Sequence, residues 1–358
     1  IGDGMSMVGA MSQIFAEEDD TPVKLDFIPG KGNGDGVDKK NKGIFYMLGM
    51  SVKFAFSFVE SLLIAASAFD SDLMFTTPKK TELVMAKPGK SRVIYFPTIK
   101  LDVIKAIKNK AKVTLNDVMM SLTSGVIHRY CEYRKDPILT QTHGRTLQNR
   151  ALVPFAFPRR PDEIVDPALG MRNNWAFLSI QMPIVMGTCT DKESKVDECI
   201  RRLTECNATT VALKTSPIAL ATLWMQNNLL PILPKFLQQQ AALDLFQRHT
   251  MVFSNVPGPS RSIRFCGERV IGLQAIFANL LPQIIMLSYG GAIFANLVID
   301  TDIISDSKVI EDFYLQEIML MCEAYKIELP NNSVSDLLAP TCHSSKNGNG
   351  IGNGNIGD

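Results

Sequence analysis

The chain has 358 residues, with 37 Lys and Arg against 36 Asp and Glu for a formal charge of +1. That balance gives no electrostatic argument for nucleic acid, whose recognition begins with a concentrated basic face, and no such partner is expected. The length suits roughly two domains with ample core. Seven scattered cysteines without a CxxC pair read as buried reduced thiols, not a disulfide framework, and none is spaced with a histidine as a metal ligand would be.

The first residue is Ile1, so a start lost to truncation, processing or an incomplete gene reading is expected. Ile1-Gly2-Asp3-Gly4 is a turn signal, and Met5, Val8, Met11, Ile14 and Phe15 after it fit one face of a short helix. Residues 29–43, rich in Gly, Asn, Lys and Asp, miss both phosphate-loop patterns and read as a solvated linker. Ile44–Phe69 is the most apolar stretch. At helical pitch Gly49, Lys53, Ser57, Glu60 and Ser67 form one polar stripe, which favours a helix lying in a membrane interface or a protein groove over one that spans a bilayer. Thr76–Lys90 is a connection.

Arg92–Ile99 is predicted as a strand and Leu101–Ala111 as an amphipathic helix. Thr114 caps the next helix, and Asp117 in its first turn is explained by capping and the helix dipole; Asn116 is explained less well. Leu147–Phe157 and Trp175–Val185 read as strands. Lys192–Lys214 is a charged amphipathic helix, and Ser216–Phe246 is helical and apolar, broken at Pro231 and Pro234. Thr250–Asn255 is a short strand running into the rigid turn Val256-Pro257-Gly258-Pro259. Gly290-Gly291 joins strands Ile284–Tyr289 and Ala292–Asp300 as a two-residue hairpin. Ser305 or Asp306 caps a last helix, Lys308–Tyr325, and residues 331–358 form a disordered Asn/Gly-rich tail. The order of elements predicts a layered α/β fold with a mixed sheet. GxSxG and HExxH are both missing from the sequence, and His128, His143, His249 and His343 have no evident catalytic partner along it, so composition leaves the reaction open.

Three segments together resemble the wax ester synthase/diacylglycerol acyltransferase family. Met251–Pro259 is similar to its SNVPGP element, Arg150-Ala-Leu-Val-Pro154 to its RALVPVS strand, and Thr114-Leu-Asn-Asp-Val118 to its NDVVL helix start. Val298–Asp302 with Ser305-Asp306 resembles the family's LVxDxxxxxD ending, and the likeness covers most of residues 92–329. It implies a CoA-dependent acyltransferase, chloramphenicol-acetyltransferase-like fold whose first domain is mostly missing from this chain. Residues 1–28 would be its remnant, 44–91 the apolar helix and interdomain connection, and 92–330 the C-terminal domain. In that family the motif is HHxxxDG, so Asp3 and Gly4 would be its last two residues, with the general-base histidine upstream of Ile1.

The resemblance further implies Arg150 as the partner of Asp3 and Asn116 as a group that orients substrate or holds the oxyanion; Asn255, on the neighbouring strand, is a second candidate, or else serves the turn before Pro257. Asp117 and Arg150 are binding or structural positions. The implied reaction moves a long-chain acyl group from acyl-CoA, as co-substrate, to a fatty alcohol or diacylglycerol. It needs no bound cofactor or metal, and would run at the cytoplasmic face of a membrane (endoplasmic reticulum or plasma membrane) or on a lipid droplet. Alternatives are a condensation-type HHxxxDG acyltransferase and a catalytically dead fragment that binds a lipid surface.

Overall fold

The computed structural model describes residues 15–17, 49, 51–59, 69–76, 90–139, 146–157, 162–163, 166, 175–185 and 191–339. Asp3 and Gly4, the linker and residues 340–358 lie outside these. In chain order the described elements begin with β1 (Ala16–Glu17), helix α1 (51–59), β2 (Ser91–Tyr95), β3 (Ile99–Lys100), α2 (Leu101–Ala111) and α3 (Leu115–Tyr133). Then follow β4 (Thr146–Leu147), β5 (Arg150–Ala156), β6 (Trp175–Gln181), β7 (Ile184–Val185), α4 (Lys192–Thr215), α5 (Ile218–Trp224) and α6 (Lys235–Gln247). The chain continues through β8 (Met251–Pro257), β9 (Ile263–Phe265), β10 (Glu268–Arg269), β11 (Gln283–Tyr289), β12 (Ala292–Asp300), α7 (Val309–Ala324) and α8 (Val334–Leu337).

The main sheet has the order β2-β12-β11-β8-β5-β6, with β3 added to β12. It is mixed: β11 and β5 both run parallel to β8, and the other pairs are antiparallel. The α3, α4 and α7 helices cover one face. In α3, Val118, Met119, Leu122 and Tyr130 are fully buried along with the polar Ser121, Thr123, Ser124 and His128, so this helix is buried nearly all round. On the other face Leu152, Val252 and Leu281 pack against Phe177 of β6 and against Leu245 and Phe246 of α6.

Prolines set several strand ends. The strand expected over Arg92–Ile99 divides around Pro97, which has no N–H to give to a ladder. Trp175–Val185 likewise divides at Met182-Pro183, and its neighbour Leu147–Phe157 divides opposite, at Gln148-Asn149. The two breaks are tied together, because Met182 N donates to the Asn149 carbonyl at 2.7 Å and Asn149 Nδ2 donates to that of Met182 at 3.1 Å. Gly290 and Gly291 have φ of +54° and +81°, the left-handed values that a two-residue hairpin matched to strand twist requires.

Four expectations need correction. Of the helix expected over Met5–Phe15, residues 5–14 lie outside the described ones and Phe15 is not helical; just after it Ala16 and Glu17 pair with Arg264 and Ile263 in a small sheet, β1-β9-β10, and Phe15 lies against Phe265. The last long helix starts at Val309 without a side-chain cap, and Ser305 and Asp306 instead receive Arg134. The tail does not begin at Asn331. A reciprocal Ser333–Asp336 capping box starts α8, Leu337 is fully buried, and Leu338 bridges to Ile99. Finally, Cys131, Cys199, Cys206 and Cys322 are buried free thiols as expected, but Cys266 is exposed in the turn after β9.

Candidate active site

The sheet opens at one place. Strands β5 and β8 pair only through Ala151 with Met251 and Leu152 with Val252. Beyond that, β5 continues with β6 alone and β8 with β11 alone. Two parallel neighbours that part toward their carboxyl ends create a crevice in the sheet, the place where open α/β sheets hold ligands.

Asn255 stands on β8 just past this fork, on the same side of the strand as the buried Met251 and Phe253. Above it is the start of α3. Thr114 N donates to Asp117 Oδ2 at 2.8 Å while Asp117 N donates back to Thr114 Oγ1 at 3.4 Å, the reciprocal box that ends the search for the helix's first donors. Thr210 Oγ1 on α4 donates to the other Asp117 oxygen at 2.5 Å. Asp117 is therefore fully occupied in holding α3 to α4, and its role is structural.

Asn116 is not needed for the cap. Its side chain is exposed, and Asn255 Nδ2 donates to its Oδ1 at 2.5 Å. With Asn255 Nδ2 as the donor, the Asn116 oxygen faces Asn255 and the two N–H donors of its Nδ2 face away from it. The structure thus brings together the two asparagines singled out from distant segments. It presents a fixed amide donor at the positive end of a long helix dipole. Such a group can stabilise negative charge developing on an oxygen.

Arg150 opens β5 and lies at the base of the fork, not at its mouth. Its Nε donates to Asp70 Oδ1 at 2.6 Å, its backbone N to Asp70 Oδ2 at 2.6 Å, and its Nη2 to the Arg248 carbonyl at 2.8 Å. Thr250 Oγ1 adds a bond to Asp70 Oδ2 at 2.8 Å, and Asp70 N donates to the same Arg248 carbonyl. Burial pushes the Asp70 carboxyl up, and the Arg150 guanidinium, Arg150 N–H and Thr250 hydroxyl draw it back. Sequence reasoning missed Asp70, and the expected pairing of Arg150 with Asp3 involves a residue outside the described ones. Gly258, in the turn after β8, is required by proximity: a Cβ there would overlap the Ser288 carbonyl oxygen.

His249, next to Thr250, is buried. Its Nε2 shares a hydrogen bond with Ser179 Oγ at 2.8 Å and its Nδ1 faces the Leu245 carbonyl at 2.6 Å. Burial lowers its pKa to about 4; the Leu245 carbonyl opposes this, and the Arg150 and Arg248 charges add to it. The unfolded chain, with a histidine near 6.5, takes up this proton first. The stabilisation is therefore complete above about pH 6.5 and is lost as pH falls toward about 4. Unfolding free energy from urea titrations should fall by about 2 kcal/mol between about pH 7.5 and about pH 5 through this group. The His249→Gln variant should lack that component.

Among the described residues no cluster of three His, Cys, Asp or Glu side chains could hold a metal, and no helix is long and apolar enough to cross a membrane.

Residues 173–321 match the family model of the WS/DGAT C-terminal domain. Wax ester synthase/diacylglycerol acyltransferase 2 of Arabidopsis thaliana is 24% identical over 254 residues, covering 67% of this chain and 52% of that protein. Wax ester synthase/diacylglycerol acyltransferase 3 of the same plant is 24% identical over 325 residues, covering 87% of this chain and 64% of its own length. The chain thus spans about half to two thirds of the length of these relatives. Among solved structures, the trichothecene 15-O-acetyltransferase of Fusarium sporotrichioides aligns with a TM-score of 0.51 at 13% identity, over 90% of this chain and 64% of that one. That likeness shows the fold alone, a layered α/β fold with a mixed sheet.

Proposed function

Because the chain belongs to the wax ester synthase/diacylglycerol acyltransferase family, we propose that its full-length gene product is an acyltransferase of neutral-lipid synthesis. The reaction is attack by the hydroxyl of a fatty alcohol or diacylglycerol on the thioester carbonyl of a long-chain acyl-CoA. A base takes the hydroxyl proton, the carbonyl oxygen becomes an oxyanion, and the C–S bond breaks to release CoA thiol with the ester. The observation that carries this reading is the Asn255–Asn116 hydrogen bond at the fork. It joins the two motifs that resemble the family and leaves the Asn116 amide donors directed outward at a helix N-terminus. We assign Asn116 to the oxyanion and Asn255 to holding Asn116. Asp117 and Arg150 keep the structural roles described above.

The test is CoA release by the full-length gene product from palmitoyl-CoA, with hexadecanol or dioleoylglycerol as acceptor. The Asn116→Ala variant should lose about 10²-fold in kcat, the scale of one oxyanion donor. The Asn255→Ala variant should lose less. Turnover unchanged in Asn116→Ala would remove the oxyanion assignment, and no CoA release with either acceptor would remove the reaction.

A further inference from the structure

The two arms of the fork present different walls on the face of the sheet that carries α3. Ala151 pairs with Met251 and Leu152 with Val252, so the next residues in register are Val153 with Phe253, Pro154 with Ser254 and Phe155 with Asn255. The ladder ends before them, and these positions stand across the crevice from each other instead of bonding. Alternation along a strand puts Phe155 on the side of Ala151 and Val153, and Asn255 on the side of Met251 and Phe253. All four of those belong to the core beneath α3 or pack on it. One wall of the crevice is therefore the Asn255–Asn116 amide pair, and the facing wall is Phe155.

This ring does not fill the core. Phe155 is 36% exposed, whereas Ala151, earlier on the same side of β5, is fully buried. Phe157 meets the ring edge-on at 5.2 Å and braces it at the end of the strand. The RALVPVS strand that Arg150–Pro154 resembles continues with a valine where this chain has Phe155. Paired strands lie about 4.8 Å apart, and a crevice that widens from that spacing is narrow near its base. A phenyl ring in place of an isopropyl group takes up much of the width beside the amides.

We propose that Phe155 is a specificity-determining residue for the acyl acceptor. It narrows the crevice at the Asn116–Asn255 pair so that an unbranched fatty alcohol enters and diacylglycerol is hindered. The role rests on the acyl-transfer reading above and decides between the two acceptors named there. A fatty alcohol carries its hydroxyl at the end of a single methylene chain, which can lie along an aromatic wall over its length and bury apolar surface there. In 1,2-diacylglycerol the carbon next to the hydroxyl-bearing one holds an ester and leads to a second acyl arm, and this branch must occupy the space that the ring fills. Small differences in the bulk that an apolar pocket accepts separate substrates by about 10–200-fold.

The measured quantity is the ratio of kcat/KM for hexadecanol to that for 1,2-dioleoylglycerol, with palmitoyl-CoA as donor and the full-length gene product as enzyme. The Phe155→Val variant should lower this ratio about ten-fold, chiefly by faster turnover of dioleoylglycerol. The Phe277→Val variant, at a ring 62% exposed elsewhere, should keep the parent ratio. An unchanged ratio in Phe155→Val, or the same shift in Phe277→Val, would overturn the proposal. So would an equal loss with both acceptors, which is what a merely structural ring would give. Circular dichroism should show both variants folded, because both rings are partly exposed. A second readout needs no turnover. In the Phe155→Cys variant, hexadecanol should slow modification of the introduced thiol by N-ethylmaleimide, followed by mass spectrometry of the peptide that carries it. Equal rates with and without hexadecanol would overturn the proposal even where CoA is released. Protection without CoA release by the parent would uphold position 155 as a wall of an alcohol site and remove the acyl-transfer reading instead.

Discussion

Replacing Asp70 by alanine should cost about 3–5 kcal/mol of unfolding free energy, the penalty for leaving a buried charge without its partner. The carboxylate side chain is 0% exposed and that of Arg150 is 10% exposed, so solvent screens neither appreciably. Without Asp70, the Arg150 guanidinium keeps a bond to the Arg248 carbonyl but loses its counter-charge, and Arg150 N–H and the Thr250 hydroxyl lose their acceptor. Urea unfolding monitored by circular dichroism measures the loss. The double variant Asp70→Ala/Arg150→Met should recover part of it, because the stranded charge is then gone. A loss under about 1 kcal/mol in the single variant would mean that Asp70 is not the clamp described here. Since the clamp fixes where β5 and β8 start, the same variant should also disturb the fork above it.

Glu317→Ala should be of similar size, about 3–5 kcal/mol, for a different arrangement. Glu317 on α7 is buried between two arginines from two other helices. Arg202 of α4 donates to its Oε1, and Arg129 Nε of α3 donates to its Oε2 at 2.6 Å. Arg202 Nε also reaches the Ser121 carbonyl at 3.1 Å. One carboxylate thereby unites the three helices that cover the sheet. Gly125 makes the room, because a Cβ there would overlap both the Glu317 carboxyl and the Arg202 guanidinium. Removing the carboxylate takes away the closest acceptor of both arginines, leaving Arg202 only a longer approach to Glu198 at 3.9 Å and Arg129 its bond to Gln316 at 3.3 Å. Thermal unfolding should show the loss, and Glu317→Gln should retain part of the stability by keeping a hydrogen-bond acceptor.

Local signals in the sequence were read well where one segment decides its own shape. The α2 helix has the predicted bounds, Thr114 and Asp117 form the predicted cap, and Gly290-Gly291 turns the predicted hairpin. Those outcomes depend on neighbours within four residues. What could not be read depends on convergence. Asp70 carries no local signal, and its importance exists only because Arg150, Arg248 and Thr250 meet it from two later segments. Asn116 stood out because the cap did not need it, but its bond to Asn255 could not be seen from spacing. The fork is a property of pairing registers alone, and no residue of β5 or β8 announces it.

The edge strand β2 bears on how the molecule is made. Tyr95 pairs with Asn296 and Ser91 with Asp300, so a strand near the beginning of the described sheet waits for one near its end. On the ribosome, every residue between them must be synthesised before β2 finds a partner. Until then its bonding edge and the apolar side of Ile94 have nothing to cover them. Pairings of such sequence separation form slowly and leave intermediates that stick to one another. The last hairpin to emerge, β11–β12, is also the piece that secures the first, so nascent chains ending before residue 292 should need a chaperone to stay soluble.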